Sequence, residues 1–159
     1  MSGERKKGST KKEEENESSQ VLNFPSHKTW PEPEPKREKK TILVVDDEPH
    51  MVRLLRLNLE PEGYEVLEAF DGEQAYSLTV EKKPDVVLLD VIVPKRSGIE
   101  VCKAIKHNSE TASIPVILIT ARGEGMRRTG LESGADLFLT KPFSPLRLLA
   151  EIRRMAERK

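Results

Sequence analysis

Residues 42–49 read ILVVDDEP. Four apolar residues stop against three acids and a proline. Taken alone, the octet has a plain structural reading. A strand has to end, Asp is a common turn and cap residue, Pro49 suits the first position of a helix, and an acid near that position is favourable. One aspartate is enough for all of this. Asp46 and Asp47 side by side repel one another and require a counter-charge if they are confined, so the remainder of the chain has to decide between a cap and a site.

Working outward, the same kind of apolar run recurs. TILVV (41–45), YEVLEA (64–69), PDVVLLD (84–90), IPVILIT (114–120) and ADLFLT (135–140) are five short segments rich in Val, Ile and Leu. VVLLD and VILIT are apolar throughout rather than alternating, the pattern of strands covered on both faces. Helical spacing follows each run. Met51, Leu54, Leu55 and Leu59 share one side over 49–60. Ala75 and Leu78 mark a helix over about 72–82, after Asp71 and Gly72. Ile99, Val101, Cys102 and Ile105 mark a third over about 98–107. A fourth, about 123–133, has the least secure helicity, with Gly123 and Gly125 at its start and Gly130 inside. The last, 143–157, places Leu146, Leu149 and Ile152 on one stripe. Strand and helix alternate five times. Short right-handed crossovers then predict a doubly wound (βα)5 domain with a parallel five-stranded, flavodoxin-like sheet over 41–159.

Residues 1–40 differ. Lys, Glu, Ser and Pro dominate, and apart from VLNF (21–24) and Trp30 there is little to bury. Such a segment cannot offset its ordering entropy, so the expectation is a disordered charged tail, with PEPEPK (31–36) favouring an extended spacer. The whole chain has 27 basic and 27 acidic residues. This balance gives no argument for direct binding of nucleic acid or of an anionic membrane. No run approaches the ~20 apolar residues of a spanning helix, so no membrane insertion is expected. The amino terminus lacks the apolar core of a secretion signal. Cys102 is the single cysteine and forms no intramolecular disulfide. The cytoplasm is the expected location.

In doubly wound folds, sites form outside the carboxyl ends of the strands. Here those ends carry Asp46 and Asp47, Asp90, Thr120 and Lys141. Three carboxylates, a hydroxyl and an ammonium on one rim exceed what capping requires. The carboxylates form a hard-oxygen donor set suited to Mg²⁺ or Mn²⁺. His27, His50, His107 and Cys102 are scattered, without zinc spacing, and no phosphate-cradling GxxxxGK[ST] loop is present.

Taken in order, DD (46–47), DVIVPKRSG (90–98), ITA (119–121), GAD (134–136) and LTKPF (139–143) resemble the receiver domain of bacterial two-component response regulators, and they span essentially all of 41–159. The resemblance implies a stand-alone CheY-like phosphoacceptor. Asp90 would take a phosphoryl group from a sensor histidine kinase. Asp47 would bind Mg²⁺ directly, Asp46 largely through water, and the Ile92 backbone carbonyl would complete the metal set with Asp90. Thr120 and Lys141 would grip the phosphoryl oxygens. Thr120 and Phe138, which stands where the family often has Tyr, would form the switch. The Lys141–Pro142 bond would be cis. Val93 replaces the usual Met, and the spacing from Thr120 to Lys141 is about one residue short, the loss falling around the fourth helix.

The residue chemistry agrees with this reading. An aspartyl phosphate needs an exposed carboxylate nucleophile, and transfer is helped by a divalent cation and cationic clamps. The expected function is signalling without a dedicated output enzyme: phosphorylation alters binding of a downstream protein on the face of helix four, strand five and helix five. A phosphorelay intermediate that hands the group on to a histidine is the alternative within the same class. A Mg²⁺-dependent phosphatase would want a second acid two residues beyond the nucleophile, where Ile92 stands. A docking-only pseudo-receiver would not need Asp90, Thr120 and Lys141 together.

Overall fold

The computed structural model describes residues 38–157. The expectation of a disordered tail over 1–40 falls outside these residues, except for 38–40, which lead into the first strand. Five strands, β1 (Thr41–Val45), β2 (Glu65–Ala69), β3 (Val86–Asp90), β4 (Val116–Thr120) and β5 (Leu137–Thr140), alternate with five helices. The helices are α1 (Pro49–Leu59), α2 (Gly72–Lys82), α3 (Gly98–His107), α4 (Glu124–Glu132) and α5 (Pro145–Ala156), and a 3-10 turn, Glu60–Glu62, follows α1. All strand pairs are parallel, in the order β2-β1-β3-β4-β5. The chain winds outward in one direction to β2 and in the other through β3, so the switch point lies between β1 and β3, where this architecture opens its crevice.

Both faces of the sheet are covered, and each central strand sends alternate residues to the two faces. Ile42, Val44, Leu88 and Ile117 pack with Leu55 of α1 and Ile152 of α5. Leu43, Val45, Leu89 and Leu118 pack with Ala75, Val101, Cys102 and Phe138 on the other side. This explains why β3 and β4 read as unbroken apolar runs: every one of their residues is buried.

Local chemistry sets the helix ends. Asp71 accepts the Gln74 N–H at 2.8 Å, and Gln74 Oε1 accepts the Phe70 N–H at 3.0 Å, a reciprocal cap that starts α2. Ser97 accepts from the Glu100 N–H and Ser144 from the Arg147 N–H, capping α3 and α5. Pro49 and Pro145 stand in the first turns of α1 and α5. The α4 helix has no side-chain cap, and Gly130 is its only buried residue.

Two expected helix faces are displaced. In α1, Leu54 is 51% exposed, and Val52 fills the core with Leu55 and Leu59. In α5, Leu146 is 78% exposed, and the buried stripe is Leu148, Ile152, Met155 and Ala156. In both helices several apolar residues lie adjacent in sequence, so the spacing fits two neighbouring stripes and only the docking angle on the sheet selects one. Among the described residues, no helix is long and apolar enough to cross a membrane.

Candidate functional site

Residue by residue, the rim is assembled from strand ends. Asp46 follows β1, and its side chain is 3% exposed. Its Oδ1 accepts the Glu48 N–H at 3.0 Å. Its Oδ2 accepts from the Lys141 ammonium at 2.9 Å. Asp90 closes β3. Its Oδ1 accepts the Ile92 N–H at 2.9 Å, and its Oδ2 accepts from the same Lys141 Nζ at 2.9 Å. Lys141 arrives from the end of β5, where its own N–H donates to the Thr120 carbonyl, and the Lys141–Pro142 peptide is cis. Lys141, held between the ends of β1 and β3, is therefore the counter-charge of Asp46 and Asp90, whereas Asp47 is exposed.

Beneath the carboxylates the floor is apolar, formed by Val45, Leu88 and Ile119. Burial, the largest influence, pushes the Asp90 carboxyl above its ordinary value of 3.8, while the Lys141 ammonium and the Ile92 amide pull it down. Burial also works against the Lys141 charge, but hydrogen bonds to Asp90 and Asp46 outweigh it and hold the ammonium above its ordinary value of 10.5.

Asp46, Asp47 and Glu48 bring one carboxylate oxygen each to within 4.8 Å of one another. Asp46 is buried and the other two are exposed. Such a cluster of hard oxygens fits a divalent cation. This grouping differs from the expected set: Glu48 takes part in it, and Asp90, which shares Lys141 with Asp46, does not. Glu48 was legible as the third acid of DDE, but its position as N-cap of α1 gave it an ordinary role. Ile92 contributes its backbone N–H to Asp90, and its side chain is 50% exposed at the rim.

Thr120 ends β4 fully buried, and its Oγ1 accepts the Arg122 N–H at 3.1 Å. Phe138 is 1% exposed and lies beside Leu118 in the sheet register, with the Arg127 guanidinium 5.4 Å from its ring centre. The ring lies inward in this structure, and without a phenolic hydroxyl it can be buried there at no polar cost.

A parallel five-stranded α/β sheet with an acidic, lysine-bridged crevice at its switch point defines a small doubly wound domain whose ionisable groups gather at the strand ends. The family model for the response regulator receiver domain matches residues 42–153, and the chain belongs to that family. It is a receiver-type phosphoacceptor of response-regulator signalling. It is 45% identical over 120 residues to the phosphate regulon transcriptional regulatory protein PhoB of Pseudomonas aeruginosa, covering 75% of this chain and 52% of that one. It is equally 45% identical over 120 residues to the alkaline phosphatase synthesis transcriptional regulatory protein PhoP of Bacillus subtilis, covering 75% and 49%. The chain thus spans about half the length of the curated relatives it matches. Among solved structures, a response regulator from Chloroflexus aurantiacus superposes with TM-score 0.72 at 33% identity, covering 76% of this chain and all of that one. The receiver domain of a signal transduction histidine kinase from Syntrophus aciditrophicus gives 0.71 at 31%, covering 76% and 94%.

Proposed function

We propose that Asp90 is the phosphoacceptor and that a sensor histidine kinase supplies the phosphoryl group. The observation that carries this reading is the posture of the Asp90 carboxylate: one oxygen is fixed by the Ile92 amide and the other meets Lys141 at the mouth of a crevice shared with Asp46. In the transfer, an Asp90 oxygen attacks phosphorus, and the phosphorus–nitrogen bond of the donor phosphohistidine breaks with its electron pair leaving on the imidazole. Lys141 is placed to turn from Asp90 to a phosphoryl oxygen as the carboxylate is esterified, keeping Asp46 as its other partner. Thr120, on the adjacent strand end, supplies a hydroxyl toward the same oxygens.

The acids that support a metal are Asp46 and Asp47, with Asp90 and the Ile92 carbonyl as expected from the resemblance and Glu48 added by the structure. Mg²⁺ is the proposed ion and Mn²⁺ an equivalent. Bound there, a divalent cation neutralises charge that the acids would otherwise present to an incoming phosphate.

The output is a change in partner binding, and the proposed face is α4, β5 and α5, where Arg127 touches the buried Phe138 ring and the Arg128 side chain is 91% exposed. Intact mass after incubation with acetyl phosphate and Mg²⁺ is expected to rise by one phosphoryl group, to do so little without Mg²⁺, and not to rise in Asp90→Asn. Equal labelling of Asp90→Asn would overturn the assignment.

A further inference from the structure

The stretch Val91–Ser97 starts one residue after Asp90, and its Ile92 N–H fixes the Asp90 carboxylate. Whatever sets the path of this stretch also sets the posture of that carboxylate. Its closing end is held by Gly98, whose N–H donates to the Val91 carbonyl at 2.8 Å. A Cβ at Gly98 would lie 2.3 Å from the Asp90 carbonyl oxygen. Its middle is held by a different element. The Gly72 N–H, first in α2 and without a partner inside the helix, donates to the Pro94 carbonyl at 3.0 Å. Lys95 takes the left-handed backbone conformation, φ 71°, with its Nζ 3.6 Å from Asp71 Oδ2. The Arg96 guanidinium stands 5.2 Å from the centre of the Tyr76 ring. Three consecutive residues, Pro94, Lys95 and Arg96, are thus each held by the beginning of α2.

The approach is closest at Gly72. A Cβ there would lie 2.1 Å from the Arg96 carbonyl oxygen and 2.7 Å from Arg96 Cβ. The obstructing oxygen belongs to backbone and cannot rotate aside, so any side chain at position 72 forces the two segments apart. Only Val93 separates Pro94 from Ile92, so a displacement at the clamp passes into the amide that orients Asp90.

We propose that the start of α2 is a positioning element for phosphoryl acceptance: Gly72, with Asp71 and Tyr76, holds Pro94–Arg96 on the path that presents the Ile92 amide to Asp90. Gly72 is a positioning residue that acts through this loop. The proposal rests on the reading of Asp90 as the acceptor. It accounts for the Asp71–Gly72 pair beyond its role as a helix start, since capping α2 requires the Asp71 carboxylate but not a glycine beside it.

The test compares the full chain with Gly72→Ala, Lys95→Gln, Arg96→Ala and a remote core variant, Leu59→Ala. It uses three readouts: the labelling rate with phosphoramidate at saturating donor and Mg²⁺, the ¹⁵N–¹H resonance of Ile92 without donor, and the urea midpoint. Gly72→Ala is expected to move the Ile92 resonance and slow labelling by about 10- to 100-fold, the scale of an ångström misplacement at a reacting group. Lys95→Gln and Arg96→Ala should move both readouts in the same direction by about two- to fivefold in rate, as loss of a single ion pair or cation–ring contact implies. Leu59→Ala should lower the midpoint and leave both unchanged. An unmoved Ile92 resonance with wild-type labelling in Gly72→Ala overturns the proposal, as does equal slowing in Leu59→Ala. If Gly72→Ala does not fold, the two loop variants decide: wild-type rate and Ile92 resonance in both overturn it. Labelling of Asp90→Asn would instead sink the acceptor assignment on which the clamp rests.

Discussion

The Lys141 ammonium is where sequence and site meet at the scale of single residues. Its carboxylate partners come from the ends of β1 and β3, and both lie 2.9 Å away. Removing it leaves Asp46 and Asp90 facing one another over an apolar floor with no compensating charge. Lys141→Met is therefore expected to lose about 1–3 kcal/mol of stability, the cost of stranding buried acceptors, and to recover part of it on addition of Mg²⁺. Urea unfolding with and without the ion checks both; an unchanged midpoint would mean that the carboxylates find solvent. Cys102 gives a second residue-scale prediction. Burial, the largest influence, pushes its thiol above its ordinary value of 9.0, and the side chain is fully enclosed. A thiol whose pKa is raised by folding contributes stability that is complete below 9.0 and is lost as pH rises beyond it. A disulfide reagent at pH 8 should thus react with Cys102 only as fast as the domain opens, and reaction at the rate of an unfolded control would refute that burial. At this scale the acids, Thr120 and Lys141 were legible because each stands at the end of an apolar run. The Lys141 bridge and the part played by Glu48 were not, since they depend on where side chains converge across strands far apart in sequence.

At the scale of elements, α4 and β5 show what composition conceals. The glycines of residues 123–130 read as weaknesses in a helix, yet Gly123, at φ 47°, lies before the first turn and so weakens nothing within it. Gly130 has another role. A Cβ there would fall 2.7 Å from one Phe138 ring carbon and 2.8 Å from another, so the missing side chain forms the slot in which the ring lies. Gly130→Ala trades a gain in helix propensity, about 1 kcal/mol, against overpacking of about 1–3 kcal/mol. The net effect is expected to be destabilising, and Phe138→Leu, which vacates ring volume, should relieve it. In a double-mutant cycle of urea midpoints the pair should couple by about 0.5–3 kcal/mol. Strict additivity would show that α4 does not press on the ring. The exchange of stripes in α1 and α5 has a related cause: clustered leucines leave the face to be chosen by the sheet. The central strands β3 and β4 carried no such ambiguity, because a segment buried on both sides has no face to choose.

At the scale of the whole molecule, the question is where the folding unit begins. The change in composition near residue 40 suggested a boundary, and the first contacts of the domain support one close to it. The Lys40 carbonyl accepts the Glu65 N–H at 2.9 Å, and the Thr41 N–H donates to Asp85 Oδ2 at 2.7 Å. These bonds tie the start of β1 to β2 and to the approach to β3. β1 is flanked on both sides by other strands, so it cannot be shortened as an edge strand can. Ile42, its second residue, is fully buried. We therefore propose that a chain beginning at Glu38 is sufficient for phosphoryl acceptance. It should unfold cooperatively and label with acetyl phosphate and Mg²⁺ at a rate within about twofold of the full chain, since no residue of the crevice is touched. A chain beginning at Leu43 should fail both measurements. It loses the two bonds and the Ile42 side chain, whose removal alone costs about 2–5 kcal/mol, a large share of the ~5–15 kcal/mol that keeps a domain folded. Loss of labelling in the Glu38 chain, with cooperative unfolding retained, would assign residues 1–37 a direct part in the chemistry and move the functional boundary into them.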